Sequence, residues 1–379
     1  MKIAIGAETV SGENRVALTP DSLSKLVGAG CEIAVASGCG KGAFYSDSDY
    51  ESAGAKVVGD SNASFSGADV IARVLPPSES EAEQWPDGAT IISTGQPNVL
   101  GPQLAILSKK KCSVFLTDLL PRISRAQSMD TLSSQASIAG YKAVLLAAGK
   151  LPKFFPMLMT AAGTIRPAKV LVMGAGVAGL QAIATAKRLG AQVSAYDVRP
   201  AVKEEVQSLG AKFVELALEA AEGEGGYAGE QTEEFQKRQR ELIAEVVAAS
   251  DVVITTAAIP GRQAPILVTS EMVAAMKPGS VIIDLASSTG GNCELTKDGE
   301  EVVSNGVSIN GRSDLPSTMA TNASQLYAKN LVNLLLPMIS EGNLSVNFED
   351  EVLAATCVIF KGEVRHGPSR ELLGLEAQS

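Results

Sequence analysis

Chemically active side chains are scarce in this chain. It has one histidine, His366, and five cysteines that never stand in a C-x-x-C spacing. It also has no H-E-x-x-H pattern, no paired-carboxylate motif and no G-x-S-x-G turn. These absences argue against a metal site, a disulfide framework and a serine nucleophile. His366 lies in a polar, turn-like stretch, which favours a solvated side chain over a catalytic one.

Basic charge and long apolar runs are lacking too. The chain has 32 Lys and Arg against 42 Asp and Glu, a net charge of −10, so it offers no basic surface for nucleic acid. Its richest apolar window, residues 331–339, contains Asn333 and Pro337 and is too short to span a bilayer. Residues 1–6 lack a signal-peptide core. We therefore expect a cytoplasmic chain with reduced thiols and no direct membrane insertion.

A glycine fingerprint is the most informative feature that is present. Gly174, Gly176 and Gly179 form G-x-G-x-x-G between an apolar run at 170–173 and a helical pattern that ends at Gly190. A second apolar run follows and ends on Asp197, about 20 residues after the first glycine. In this context the glycines approach a pyrophosphate at a helix N-terminus, and the acid binds the adenosine ribose. The pattern predicts NAD(H) rather than NADP(H); the alternative is a glycine-rich turn without a ligand.

Strand and helix patterns alternate along most of the 379 residues. This alternation predicts an α/β protein with two Rossmann-like, doubly wound parallel-sheet domains and an interdomain cleft. We expect a discontinuous N-terminal domain of residues 1–133 and 325–379, and a nucleotide-binding domain of residues 134–324. Residues 216–237 are rich in Glu, Gly and Gln, and we expect their core, residues 223–229, to be a mobile surface loop; the alternative is an acidic linker.

A polar segment between the two domains is the best candidate for chemistry. Residues 121–135 include Arg122, Gln127, Asp130 and Ser133, which can hydrogen-bond a carboxamide or a ribose. Apart from a perturbed Asp130, none of them could move a proton near neutral pH. Hydride exchange between two nicotinamides needs orientation rather than acid–base catalysis, so the segment suits that reaction. The alternative is a capped helix start.

The chain resembles the NAD(H)-binding component, domain I of the alpha subunit in its split bacterial form, of the proton-translocating NAD(P) transhydrogenases. The resemblance covers nearly the whole length and rests on five segments, residues 13–20, 122–130, 159–164, 174–190 and 276–286. The segment 122–130 is the most specific, because the related alanine dehydrogenases lack it.

The resemblance implies a homodimer that docks on a membrane-spanning component at the inner face of the plasma membrane. It implies direct hydride transfer from NADH to NADP+ on a separate NADP(H)-binding component, coupled to proton translocation. The residues that it would assign to the dihydronicotinamide are Arg122, Gln127, Asp130 and Ser133, with Tyr141 nearby. Those that it would assign to the rest of the nucleotide are Gly174, Gly176, Val177, Ala178, Gly179 and Asp197, with Tyr227 on a loop that closes.

Two other functions stay open. The first is a stand-alone oxidoreductase like alanine dehydrogenase, with Asp130 or Asp284 as the base. Alanine dehydrogenases use an arginine, a lysine and a histidine; this chain matches the arginine with Arg15, but has Leu75 and Gln96 at the other two positions. Arg15 is then expected to be structural, in an ion pair between domains. The second is a non-catalytic NAD sensor.

Overall fold

The protein is described by a computed structural model that covers residues 1–215, 233–258 and 262–376. Contacts divide it into two compact units. The first contains Met1–Gln135 and the chain from Pro316 onward, and the second contains Ala136–Leu315. The expected boundaries, 133/134 and 324/325, both fall inside helices.

The strands are short and mostly buried. In chain order they are β1 (Lys2–Ile5), β2 (Glu32–Ala36), β3 (Lys56–Val58), β4 (Val70–Ala72), β5 (Thr90–Ser93), β6 (Ser113–Leu116), β7 (Leu158–Thr160), β8 (Gly163–Ile165), β9 (Lys169–Met173), β10 (Gln192–Tyr196), β11 (Lys212–Phe213), β12 (Val252–Thr255), β13 (Val281–Asp284), β14 (Glu301–Ser304), β15 (Val307–Asn310), β16 (Ile339–Ser340), β17 (Asn343–Leu344), β18 (Cys357–Phe360) and β19 (Glu363–Val364).

Helices connect these strands. They are α1 (Ser24–Gly28), α2 (Asp47–Ser52), α3 (Ser61–Phe65), α4 (Glu79–Gln84), α5 (Gly101–Lys109), α6 (Thr131–Lys150), α7 (Val177–Arg188), α8 (Lys203–Ser208), α9 (Glu233–Ala249), α10 (Ser270–Ala275), α11 (Ala320–Leu335), α12 (Glu351–Thr356) and α13 (Gly367–Leu372). Among the described residues, no helix is long and apolar enough to cross a membrane.

The first unit is built on one sheet with the strand order β19-β18-β6-β5-β4-β1-β2-β3. Strands β1 to β6 pair in parallel, and the order reverses between β1 and β4, as in a doubly wound fold. Successive residues of β1 enter different cores, because Ile3 and Ile5 pack in one cluster and Ala4 packs in another. The sheet is therefore buried on both faces, as a parallel sheet requires.

A buried ion pair lies beyond β1 and β4, at the point where the strand order of the first unit's sheet reverses. Glu8, just after β1, accepts hydrogen bonds from the backbone N–H groups of Val74 and Leu75 beyond β4, at 2.8 and 3.2 Å. The same carboxylate pairs with Arg73, and both side chains are almost completely buried. The Glu8 carboxylate therefore acts as an internal anion that binds the backbone N–H groups of this loop.

The second unit repeats the doubly wound arrangement. Its sheet has the order β11-β10-β9-β12-β13-β15-β14, with the reversal between β9 and β12. In β9, Val170 and Val172 pack on one face while Leu171 and Met173 pack on the other. The two Rossmann-like sheets confirm the predicted α/β fold class.

Three features differ from the sequence expectations. Both sheets end in antiparallel strands: β14 pairs antiparallel with β15, and β18 with β6. Strands β7 and β8 form a hairpin that the patterning did not predict. His366 is not in a solvated tail: it is partly buried just before α13, with its Nδ1 2.8 Å from the Ser369 hydroxyl.

All five cysteines are buried and unpaired. Burial raises the pKa of every one of these thiols, and it raises those of Cys39 and Cys357 to about 12. The native thiols are therefore poor nucleophiles near neutral pH.

Candidate functional site

The fingerprint loop leaves β9 in a conformation that requires glycine. Gly174 has a φ of +100°, and a Cβ on it would lie 2.4 Å from the Thr256 hydroxyl oxygen. That hydroxyl donates a hydrogen bond to the Gly174 carbonyl oxygen at 3.1 Å. Because Thr256 follows β12, the contact joins the two loops at the reversal of strand order, where doubly wound sheets bind ligands.

Close backbone packing explains the third glycine. A Cβ on Gly179 would lie 1.8 Å from the Gly174 carbonyl oxygen, so a larger residue would push α7 away from the loop. A similar approach, which sequence patterning missed, occurs at Gly140 of α6. A Cβ there would lie 2.1 Å from the Ala178 carbonyl oxygen. Helix α6 therefore packs tightly against the first turn of α7.

The middle glycine meets no such restriction. Gly176 has φ −81° and ψ −168°, which any residue can adopt, and a Cβ there would meet no protein atom within 4 Å. Its neighbours Val177 and Ala178 begin a helix whose first N–H groups have no acceptor within the helix. An open approach to such a helix start suits a pyrophosphate, so these residues fit a dinucleotide.

Asp197 lies at the carboxyl end of β10, next to the fingerprint loop. Its Oδ2 accepts a hydrogen bond from the Ala175 backbone N–H at 2.7 Å. Arg199 supplies its backbone N–H and both sides of its guanidinium to the same carboxylate. Burial acts to raise the pKa of Asp197, but these hydrogen bonds outweigh it and hold the pKa below the ordinary value. Asp197 is therefore ionised at neutral pH.

Two tyrosines, Tyr141 and Tyr227, complete the set of predicted nucleotide-binding residues. Tyr141 follows Gly140 on α6, and its side chain is partly exposed beside the helix turn that packs on α7. Tyr227 lies outside the described residues.

The segment 122–130 of the first unit contains a 3₁₀ helix, Ser124–Met129. One side of this helix packs against the core and helix α11. Ala126 and Met129 are buried in the core. The side-chain amides of Asn330 and Asn333 on α11 both donate to the Ser128 carbonyl oxygen, at 2.8 and 3.0 Å.

The opposite side of this segment presents polar groups to solvent. Arg122 and Gln127 are exposed, whereas Arg125 is bound by the Asp350 carboxylate. The segment thus holds two hydrogen-bond donors outward from a fixed backbone.

Asp130 and Ser133 form one local unit. Oδ1 of Asp130 accepts the Ser133 backbone N–H at 2.8 Å, and Oδ2 accepts the Ser133 hydroxyl at 2.6 Å. Asp130 directly precedes α6, so it caps that helix, as the alternative interpretation of the segment foresaw. The cap fixes both side chains at the end of the polar segment.

Asp284, the second carboxylate considered as a base, is fully buried and serves the structure. It accepts hydrogen bonds from the backbone N–H groups of Ala286, Asn292 and Cys293 and from the Thr296 hydroxyl. Four protein donors bind this carboxylate and it is 0% exposed, so it is not accessible to a substrate proton.

Arg15 corrects another expectation. Its guanidinium pairs with Glu13, at 2.6 Å, and donates to the Gln135 side chain at 3.0 Å. All three residues belong to the first unit, so the expectation of an ion pair between domains was wrong.

In the described part of the chain, no group of three or more His, Cys, Asp and Glu could hold a metal ion.

Comparisons with known proteins agree with this geometry. The family model "alanine dehydrogenase/PNT, N-terminal domain" matches residues 4–139, and the corresponding C-terminal domain model matches residues 143–367. The chain therefore belongs to the alanine dehydrogenase/PNT family, as the resemblance predicted.

Its relatives define the branch of that family. The chain is 49% identical to the first part of NAD(P) transhydrogenase subunit alpha of Rhodospirillum rubrum, over 97% of this chain and 98% of that protein. It is 45% identical to NAD(P) transhydrogenase subunit alpha of Cereibacter sphaeroides, over 97% of this chain and 72% of that protein. The crystal structure of transhydrogenase from Sinorhizobium meliloti matches with a TM-score of 0.88 and 46% identity, over 96% and 100% of the two chains. The chain is thus an enzyme of the NAD(P) transhydrogenase alpha-subunit type.

Proposed function

We propose that this chain is the NAD(H)-binding component of a proton-translocating transhydrogenase. The observation that carries the proposal is the fingerprint loop: Gly176 opens the start of α7, and an ionised Asp197 stands beside it. Bound NADH supplies the hydride, which passes to NADP+ on a separate NADP(H)-binding component. A membrane-spanning component couples this transfer to proton translocation, so the chain works in the cytoplasm as a peripheral protein on the inner face of the plasma membrane.

The residues of the second unit would hold the adenosine diphosphate half of the nucleotide. The backbone of Gly174, Gly176, Val177, Ala178 and Gly179 binds the pyrophosphate, and Asp197 accepts the adenosine ribose hydroxyls. A carboxylate at this position also repels a 2′-phosphate, which favours NAD(H) over NADP(H). Tyr227 is proposed to belong to a loop that closes over the nucleotide.

The residues of the first unit would orient the dihydronicotinamide, and Tyr141 is proposed as a further contact of the nucleotide. Arg122 and Gln127 are exposed donors on the segment that α11 fixes, and Gln127 is proposed to lie nearest to the partner's nucleotide. Asp130 and Ser133 act as one hydrogen-bonded pair. Orientation alone can carry a direct transfer, because no substrate hydroxyl has to lose a proton.

The test is a reconstitution of the transfer step. The full chain, NADH and the thionicotinamide analogue of NADP+ are mixed with and without a separately expressed NADP(H)-binding component. We expect the reduced analogue only when that component is present. Gln127→Leu should lower the transfer rate with little change in the NADH dissociation constant, whereas Gln84→Leu, an exposed glutamine on α4, should change neither. Vigorous alanine or pyruvate turnover by the chain alone would contradict the proposal.

One observation favours the alternative, a stand-alone oxidoreductase like alanine dehydrogenase. Gln96, at the position of that family's histidine, donates to Asp118 at 3.3 Å, and burial raises the pKa of Asp118. A carboxyl group with a raised pKa can serve as a base. The alternative predicts alanine oxidation by the chain alone that Asp118→Asn abolishes.

The proposed function also includes a homodimer, for which the β7–β8 hairpin is the candidate contact. The β7–β8 hairpin exposes Met159 (77%) and, just before it, Met157 (57%), with Ile165 also exposed. Met159 pairs with Thr164 and Leu158 with Ile165, so the hairpin exposes apolar side chains on both of its faces. Exposed apolar surface of this kind marks a protein interface. We assign the hairpin to the homodimer contact.

A further inference from the structure

Arg199 covers the carboxylate that the proposed site needs. It lies two residues after Asp197, in the loop beyond β10. Its Nε donates to Asp197 Oδ1 and its Nη2 to Oδ2, both at 3.0 Å. The Asp197 side chain is 6% exposed while the Arg199 side chain is 56% exposed, so the guanidinium shields the carboxylate from solvent.

This two-point pair leaves little room for a ribose. A carboxylate offers about four acceptor positions. Two are used by the backbone N–H groups of Ala175 and Arg199, which belong to the loop itself. The other two hold the guanidinium, and these are the positions that the two ribose hydroxyls would take.

We propose that Arg199 is an affinity- and specificity-determining residue of the nucleotide site: the adenosine ribose binds only by displacing the Arg199 guanidinium from Asp197. The inference rests on the proposed function, because it takes Asp197 as the ribose acceptor. Arg199 then acts as a competitor within the chain and weakens NAD(H) binding. Such weakening suits a component that must exchange its nucleotide in every turnover.

The displaced guanidinium stays close to the ribose. Arg199 is tied to the loop by its backbone N–H bond to Asp197, and Glu205 on α8 is a second carboxylate whose charge acts on it. A cation held there would meet the 2′-phosphate of NADPH. The same residue thus opposes NADH and offsets part of the repulsion between Asp197 and NADPH.

The experiment measures NADH and NADPH dissociation constants by titration of the full chain. Arg199→Met, which keeps the length of the side chain but no charge, should bind NADH about fivefold more tightly. It should bind NADPH more weakly. Arg199→Lys should be intermediate, because an ammonium cannot bridge both carboxylate oxygens. Arg188→Met, which removes an exposed charge at the far end of α7, is the matched control and should bind both nucleotides like the wild type.

Salt separates competition from a structural effect. The Arg199 guanidinium is exposed, so added salt screens its attraction to Asp197, and the wild type and Arg199→Met should converge in NADH affinity as ionic strength rises. A role in folding alone would leave their ratio independent of salt.

Asp197→Asn distinguishes the two levels of failure. If Asp197→Asn leaves NADH binding unchanged, the proposed site itself is wrong. If Asp197→Asn weakens binding but Arg199→Met binds NADH no more tightly than the wild type, the site stands and the role of Arg199 is overturned.

Discussion

Gly176 and Gly179 are three residues apart and are glycine for opposite reasons. At Gly179 the neighbouring protein backbone leaves no space for a side chain, whereas at Gly176 the protein leaves the space open. Folding therefore constrains Gly179, and the proposed pyrophosphate contact would be the constraint on Gly176.

Alanine at each position should separate folding from binding. Gly176→Ala should be as stable as the wild type or up to about 1 kcal/mol more stable, because its backbone conformation suits alanine. It should bind NADH at least tenfold more weakly. Gly179→Ala should unfold at a lower temperature with or without NADH, because its Cβ would lie within 1.8 Å of a carbonyl oxygen. Thermal unfolding measures the stability of each variant, and NADH titration measures its affinity. Unchanged NADH binding by Gly176→Ala would contradict the assignment of the loop.

His366 is a clean probe because it is the single histidine. Burial lowers its pKa below 6.5, so the folded state favours the neutral ring. The stability that this preference contributes is present above about pH 6.5 and is lost as the pH falls through the folded-state pKa. NMR titration of the ring should show one transition, at a pKa below the ordinary value. A shift to the ordinary value in Ser369→Ala would show that the Ser369 contact, rather than burial, sets it.

At the scale of elements, helix α11 positions the polar segment. Asn330→Ala removes one of the two amides that hold the Ser128 carbonyl oxygen, with Asn333 left in place. We expect a loss of about 1 kcal/mol in stability and a several-fold slower transfer in the reconstituted mixture. NADH affinity should change little, because the proposed pyrophosphate contacts are made by residues of the other unit. Asn347→Ala, an exposed asparagine of the same unit, is the control.

The hairpin gives a prediction about assembly. Met159→Asp places a charge on the most exposed apolar side chain of β7–β8, so it should shift the protein towards monomer in sedimentation experiments. Val303→Asp, on β14 and 68% exposed, makes the same change outside the hairpin and should leave the dimer intact. Dissociation by both variants would argue against the hairpin as the contact.

Elements with strong periodic patterns could be predicted from sequence, and weakly patterned ones could not. The apolar run at 170–173 is observed as β9, the helical pattern that ends at Gly190 as α7, and the run that ends on Asp197 as β10, because each pattern stands next to turn residues. Strand β19 has only two residues and the hairpin strands have three, too few for a pattern to stand out. The Arg199–Asp197 pair joins residues two apart in one loop, and it depends on the backbone course of that loop. The Gly140–Ala178 approach depends on how two separate helices meet. No local pattern contains that information.

At the scale of the whole molecule, the two doubly wound sheets differ in what lies in the loop where the strand order reverses. In the second unit the loop after β9 is open at Gly176. In the first unit the Glu8 carboxylate occupies the equivalent loop and uses the backbone N–H groups of Val74 and Leu75. An internal acid thus takes the backbone donors at this reversal point, and the loop after β1 carries no G-x-G-x-x-G fingerprint.

The burial of all five cysteines makes the chain suitable for site-specific labelling without a cysteine-free background. A thiol reagent near neutral pH should leave the native protein unmodified and label all five positions only after denaturation, which mass spectrometry would show. Rapid labelling of native protein would contradict the burial. A cysteine introduced at exposed Arg122 and another at exposed Val198 would then be the two reactive sites. Paired spin labels or fluorophores there would report the distance between residues 122 and 198 as NADH is added.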